Sequence, residues 1–155
     1  VRIFAFRRWK ELNRNNPGLA DFIDFHAKHK YLLMAHNPSM LKELGKLVSG
    51  IKNMGRKDFI SGYESMFMGA LRHKATVKKN VNVLQHMAGY FRNQLNSGEK
   101  RELKEIIEQY GSELIPLIAP LVLIRHYVRI YDEKYLAGQY YLEPNPVELK
   151  LRNHA

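Results

Sequence analysis

Apolar residues recur along most of this chain at the spacing of an α-helix. The second stretch shows this well, because Phe22, Phe25, Leu32 and Leu33 repeat at intervals compatible with 3.6 residues per turn. The pattern predicts about seven main helices and a short one in the tail. We place them from the start to about Asn13, at Leu19–His36, Met40–Lys52, Asp58–His73, Val81–Leu95 and Glu99–Tyr110, from about Pro120 to Tyr131, and just after Asp132.

Turn and capping residues divide these segments. The run Asn-Asn-Pro-Gly ending at Gly18 is turn chemistry between the first two helices. Ser39 and Ser97 are the predicted N-caps of the third and sixth helices. Proline removes a helical hydrogen bond, so we assign Pro116 to a connector or a first turn and begin the firm seventh helix near Pro120.

The tail beyond the short helix is predicted to be an extended aromatic strip followed by one turn around Pro146–Leu151. We find no persuasive strand pair, internal repeat or linker anywhere in the sequence. A chain of 155 residues is long enough to bury a hydrophobic core without disulfide or metal cross-links. The fold prediction is therefore all-α, with residues 1–155 forming a single compact bundle of about six or seven helices.

The composition removes several classes of protein. There is no cysteine, which excludes disulfides, thiolate ligands for zinc or an iron–sulfur cluster, and a cysteine nucleophile in this chain. The longest apolar run, Leu114–Ile124, has 11 residues and two prolines, and a membrane span needs about 20. We expect a cytoplasmic protein that does not enter a membrane.

The charge points to an anionic partner. The chain carries 25 Lys and Arg against 15 Asp and Glu, a net charge of +10. No Asp or Glu occurs from Ser65 to Gly98. This stretch includes the segment RHKATVKKN, which is predicted to connect two helices. The cations of this stretch, which suit phosphate contacts, are Arg72, Lys74, Lys78, Lys79 and Arg92, and the nearby amides include Asn80. The alternative is a solvated loop that only keeps the protein soluble.

The fifth helix carries a stripe of side chains with polar tips. Asn82, His86 and Tyr90 are spaced at i, i+4 and i+8. An aromatic ring beside amides and a guanidinium can stack on an unpaired base and hydrogen-bond its edge. The alternative is that His86 and Tyr90 are half-buried core residues.

Histidines crowd the second helix. His26 and His29 can share a face, and Lys30 and His36 follow without an acid nearby. A metal site needs further ligands, and neither HExxH nor a cysteine cluster is present, so we expect no metal. Contacts of His26, Lys30 and His36 with a phosphate ligand are more plausible, and a structural role is more plausible still.

The segment IRHYVRIY places Arg125 and Arg129 one turn apart, with His126 between them. Two arginines on one face can clamp a phosphate. Alternatively they pair with acids such as Glu113 or Asp132. The sequence contains no Ser-His-Asp elbow, P-loop or dinucleotide fingerprint, so no catalytic residue is assigned.

Four long segments resemble the YbgA family, a bacterial domain of unknown function. They are FHAKHKYLLMAH from Phe25, NVNVLQHMAGYF from Asn80, IIEQYGSELIPLIAPLVLIRHYVRIY from Ile106 and YLAGQYYLEPNPVELKLRNH from Tyr135. They occur in the family's order and span nearly the whole chain.

The resemblance carries functional expectations. Members occur alone or fused behind a cysteine-rich desulfidase domain that is similar to thiouracil desulfurases and holds an iron–sulfur cluster. The Val1 start fits either the C-terminal part of such a fusion or a free-standing protein without its first residues. The resemblance implies that the helical domain holds tRNA whose 4-thiouridine loses its sulfur. A cluster would belong to the fused or partner domain, and no cofactor is expected here.

Three hypotheses follow. The leading one is a module that binds tRNA or other structured RNA. Its predicted phosphate contacts are Arg72, Lys74, Lys78, Lys79, Arg92, Arg125 and Arg129. Its predicted contacts to a nucleotide are His26, Lys30, His36, Asn82, His86, Tyr90 and His126. The second is a small-molecule or nucleotide-binding enzyme in which His26, His36, His86 and His126 converge on one pocket. The third is a protein-interaction module that docks through Tyr135, Tyr140, Tyr141 and Leu142.

Overall fold

A computed structural model describes residues 1–143, and this part of the chain contains eight α-helices and no strand. The all-α prediction is confirmed. The predicted turn at Pro146–Leu151 lies outside the described residues. The helices are α1 (Arg2–Arg14), α2 (Leu19–His36), α3 (Pro38–Ser49), α4 (Arg56–Ala70), α5 (Val77–Ala88), α6 (Ser97–Gly111), α7 (Ile118–Ile130) and α8 (Lys134–Ala137), with short 3₁₀ turns at Ile51–Asn53 and Gly89–Phe91.

The chain divides into two compact units. The first unit contains Val1–Ala75 with α1 to α4, and the second begins at Thr76 and contains α5 to α8. The interpretation of the whole chain as one domain stays a prediction.

Two predicted caps are wrong by one or two residues, because asparagine occupies the capping position. Asn37 accepts a hydrogen bond from the Met40 amide at 3.1 Å, so α3 begins at Pro38 rather than at Met40. Asn96 and Glu99 accept each other's backbone N–H groups at 2.9 and 2.8 Å. This capping box puts Ser97 inside α6.

The predicted start of α5 differs more from the structure than the two predicted caps do. Thr76 accepts from the Lys79 amide at 3.3 Å, so the helix begins at Val77, four residues before the prediction. The basic segment that the sequence indicated as a loop is therefore partly helical. By contrast, α2 spans the predicted residues, and α7 begins two residues before Pro120, whose missing N–H falls in the first turn.

The core of the first unit is organised around Trp9. Its buried ring lies 4.9 Å from Tyr63, 5.2 Å from Phe25 and 5.8 Å from Phe22, measured between ring centroids. The indole N–H donates to Glu64 Oε2 at 2.7 Å, and Lys10 pairs with the same oxygen at 3.0 Å. These contacts tie α1 to α2 and α4.

The second unit buries an amide at its centre. Asn80, which the sequence suggested for phosphate contact, is buried and accepts from the Tyr141 hydroxyl at 2.8 Å. That part of the prediction is wrong. Of the four residues in the third hypothesis, Tyr141 and Leu142 are each 1% exposed, so these two cannot form part of an exposed docking patch, whereas Tyr135 is 38% exposed and Tyr140 is half-buried.

Replacing Glu64 by Ala should lower the free energy of unfolding of the first unit by about 1–3 kcal/mol, because a buried N–H loses its acceptor. Glu64→Gln keeps an oxygen for the indole and should cost less than about 1 kcal/mol. Trp9 is the only tryptophan of the chain, so its fluorescence during urea unfolding reports on this unit. Equal losses in the two variants would instead assign the stabilisation to the ion pair with Lys10.

Candidate functional site

Most of the excess positive charge belongs to the first unit. Its 75 residues contain 14 Lys and Arg against 6 Asp and Glu, a net charge of +8 out of the +10 of the chain. The acid-free stretch Ser65–Gly98, where the sequence predicts phosphate contacts, extends into the second unit.

A basic surface lies along α1 and α4. Ala5 and Trp9 face the core, and the opposite side of α1 lines a groove of about 840 Å³. A second groove of about 770 Å³ follows α4, and Met68 lines both grooves. Apolar side chains contribute to this surface, since Ile3 is 70% and Phe6 is 37% exposed.

Four cations on this surface have no ion pair within residues 1–143. We call Arg2, Arg7, Lys57 and Arg72 the α1–α4 basic face. The two acids in the same grooves are already engaged, because Glu11 pairs with Arg14 at 3.5 Å and Glu64 pairs with Lys10. The uncompensated charge can hold an anion.

Of these four, only Arg72 is a phosphate contact predicted from the sequence; it is exposed just after α4, as is Lys74 two residues later. Arg2, Arg7 and Lys57 were missed. A signal was present, since residues 1–17 contain five Lys and Arg and a single acid. Which of those cations face outward depends on how Trp9 packs.

His26 is a half-buried histidine of the first unit. Its Nδ1 lies 3.0 Å from the Tyr63 hydroxyl, and burial, followed by the charge of Lys30, lowers the pKa of this histidine. A Cβ on Gly45 of α3 would lie 3.8 Å from Nε2, an ordinary van der Waals contact, so α3 packs beside this ring. The lowered pKa of His26 favours the neutral form of the half-buried ring. Lys30, one turn along α2, is half-buried, with Nζ 5.3 Å from the Tyr31 ring centroid.

The other two histidines of α2 act in the structure of the unit. His29 is buried; its Nδ1–H donates to the Phe25 carbonyl at 2.7 Å, and its Nε2 accepts from Arg8 Nε at 3.1 Å. Burial lowers the pKa of His29 to about 3. His36, which was selected as a ligand contact, is also buried and donates from Nδ1 to the His73 carbonyl at 2.6 Å.

In the second unit, Lys78 and Lys79 occupy the first turn of α5, where Lys78 is exposed and Lys79 half-buried. That turn contains no acid. Because cations are unfavourable at the positive end of a helix dipole, a bound anion would stabilise this turn.

The predicted stripe along α5 is partly present. Asn82 and His86 are exposed on the helix, whereas Tyr90 lies in the following 3₁₀ turn. The Tyr90 ring stacks on Tyr135 with centroids 5.9 Å apart and planes inclined by 10°. The three side chains therefore do not share one regular helical face.

On α7, Arg129 and His126 are exposed and Arg125 is half-buried. Neither arginine forms an ion pair in the described part of the chain. The alternative in which Glu113 or Asp132 pairs with them is wrong, and Asp132 lies 3.9 Å from Lys134 instead. Arg92, just after the 3₁₀ turn, is exposed and has no ion pair within residues 1–143.

The four histidines of the second hypothesis form no common pocket within the described part of either unit. His26 and His36 are ten residues apart on α2, about 15 Å along its axis, and each has its own partner. His86 and His126 are exposed, and neither lines the cleft of about 320 Å³ between α5 and α6. Residues 1–143 contain no group of three His, Asp or Glu side chains arranged to hold a metal ion.

Comparison with known proteins assigns the family. A family model described as "Protein of unknown function (DUF1722)" matches residues 30–146. The chain belongs to this family. A relative, "Uncharacterized protein YbgA" of Escherichia coli strain K12, is 32% identical over 154 residues, which cover 99% of this chain and 91% of the relative. No solved structure matches this DUF1722 member. None of its described helices is long and apolar enough to cross a membrane.

We expect acid to destabilise the first unit through His29. In the unfolded chain its pKa is near 6.5 and in the folded unit about 3, so both states are neutral above pH 6.5. Below that pH the unfolded chain takes up the proton first, and the free energy of unfolding falls by about 1.4 kcal/mol per pH unit towards pH 3. The lowered pKa of His26 acts in the same direction.

Urea unfolding followed by Trp9 fluorescence at several pH values measures this slope. Nuclear magnetic resonance of the His29 ring should show a neutral Nδ1–H tautomer at pH 5. A ring that titrates near pH 6.5 in the folded protein would contradict the assignment.

Proposed function

We propose that this domain binds structured RNA, most of all tRNA, as an accessory to 4-thiouridine desulfidation performed by another domain or protein. The observation that carries the proposal is the α1–α4 basic face. Its four exposed cations have no ion pair within the described residues, and they border two grooves. Phosphate contacts from Lys and Arg supply much of the affinity of proteins for nucleic acids.

A surface that only maintained solubility would intersperse acids and bases. The middle of α6 is built in this way, since Arg101 pairs with Glu105 at 3.9 Å and Lys104 with Glu108 at 3.6 Å. The α1–α4 basic face is different, because its two neighbouring acids are used by other cations. This contrast supports a ligand-binding role for the face.

The second unit adds further phosphate contacts in this proposal. Lys78, Arg92, Arg125 and Arg129 have no ion pair among residues 1–143, and Lys79 lies beside Lys78 on α5. Lys74 and Arg72 contribute from the first unit. Contacts to an unpaired nucleotide come from His26, Lys30, Asn82, His86, Tyr90 and His126, whereas His36 is buried.

In this proposal, catalysis belongs to another domain or protein. The chain has no cysteine, so the iron–sulfur cluster that the family resemblance implies would belong to a fused or partner desulfidase. In this proposal the domain works in the cytoplasm and presents the RNA substrate.

The test is a triple variant of the basic face, Arg2→Gln with Arg7→Gln and Arg72→Gln. Fluorescence anisotropy of labelled tRNA should show affinity reduced at least about tenfold, and the slope of log affinity against log salt should flatten by about 2–3 units, since each lost phosphate contact releases about 0.9 counterion fewer. Titrations at about 50 to 200 mM salt cover the useful range.

A charge-matched control replaces three cations that already have acidic partners: Lys46→Gln, Arg101→Gln and Lys134→Gln. This variant should keep tRNA affinity within about twofold, because its cations are already compensated. Equal losses in the two triple variants would reduce the effect to net charge and contradict a specific face. Absence of tRNA binding by the unaltered protein at low salt would overturn the proposal.

A further inference from the structure

The second unit contains a cleft whose lining combines an apolar floor with a polar rim. It lies between α5 with its following 3₁₀ turn and α6, and has a volume of about 320 Å³. Leu103 and Ile107 form part of the floor, and Ala88 is half-buried at its edge. We call it the α5–α6 cleft.

The rim is cationic. Arg92 and Lys100 are exposed, line the cleft and have no ion pair within residues 1–143. Lys104 lies on the same rim, but Glu108 compensates it at 3.6 Å. Two uncompensated donors, one of them a guanidinium fork, suit a phosphate monoester. Gln85 adds an amide that can donate and accept at once.

The size of the cleft favours a small ligand over a docked helix. One turn of an α-helix with its side chains, about 10–12 Å across and 5.4 Å long, occupies roughly 400–600 Å³. The cleft is smaller than that and falls at the lower end of small-molecule sites, about 300–1,000 Å³. A ligand that fits this lining has an apolar ring, an anionic group and an edge that hydrogen-bonds an amide. A nucleotide has all three, because the Gln amide can form two hydrogen bonds with the edge of adenine.

We infer that the α5–α6 cleft binds a nucleoside monophosphate, with the base over the apolar floor beside Gln85 and the phosphate held by Arg92 and Lys100. The nucleotide is either free or one residue of an RNA strand, and only the second form rests on the proposed function. The cleft contains none of the histidines, so the inference is separate from a histidine-lined pocket.

The experiment titrates the full chain with 5′-AMP and follows backbone amide shifts by nuclear magnetic resonance. We expect a dissociation constant below about 1 mM and shifts concentrated at Ala88, Leu103 and Ile107. Adenosine and inorganic phosphate, each lacking one half of the ligand, should bind at least about tenfold more weakly.

Three variants locate the site. Arg92→Gln with Lys100→Gln removes the phosphate contacts and should weaken 5′-AMP binding about tenfold or more. Ala88→Phe fills the cleft and should abolish binding; the surface double variant keeps the test valid if this one fails to fold. Arg101→Gln, on the same helix but outside the cleft and paired with Glu105, should leave the affinity unchanged.

Binding of 5′-AMP that persists in the Arg92 and Lys100 double variant would overturn the inference, as would no binding by the unaltered chain. Anisotropy with labelled tRNA separates the two proposals. If tRNA binds and 5′-AMP does not, the cleft inference fails and the RNA function stands. If 5′-AMP binds in the cleft and tRNA does not bind, the free-nucleotide form is supported and the RNA function fails.

Discussion

The position of α1 depends on one buried side chain. Trp9 stacks on Tyr63 and donates its indole N–H to Glu64, so the first helix of the chain is fixed against α2 and α4. Since Trp9 faces inward, Arg7 is directed to the opposite side of α1, and Arg2 is exposed at the start of the helix. The same Glu64 carboxylate also neutralises Lys10. A packing interaction thus determines which cations stay uncompensated.

The protein uses its charges in two ways. On α6, Arg101 and Lys104 each pair with an acid one turn further along the helix. On the α1–α4 basic face, and at Lys78, Arg125 and Arg129 of the second unit, the cations lack ion pairs within residues 1–143. Self-repulsion makes such an arrangement unfavourable in the free protein, and bound phosphates relieve it.

The helical faces were readable from the sequence because they depend on local periodicity. The bounds of α2 agree with the prediction for this reason. Capping was less predictable where two candidates compete, as Asn37 and Ser39 do at the start of α3. The burial of Asn80 could not be seen at all, because its partner Tyr141 is 61 residues away.

The candidate site residues also divide into those that the sequence identifies and those that depend on tertiary packing. Residue type and local charge identified Arg72, Lys78 and Arg129 as exposed cations, because long charged side chains rarely lie in a core. They could not identify Arg2 and Arg7 as parts of a face, since that requires α1 to pack through Trp9. Nor could they separate the half-buried His26 from the buried His36, because each depends on a partner 37 residues distant.

The most direct test of the central claim is to map where RNA touches the protein. Ultraviolet cross-linking of tRNA to the full chain at about 50 mM salt, followed by mass spectrometry of the peptides, reads this out without a substitution. The account predicts cross-linked peptides from α1 and from the segment around Arg72. Cross-links that spare both α1 and the segment around Arg72 would contradict it.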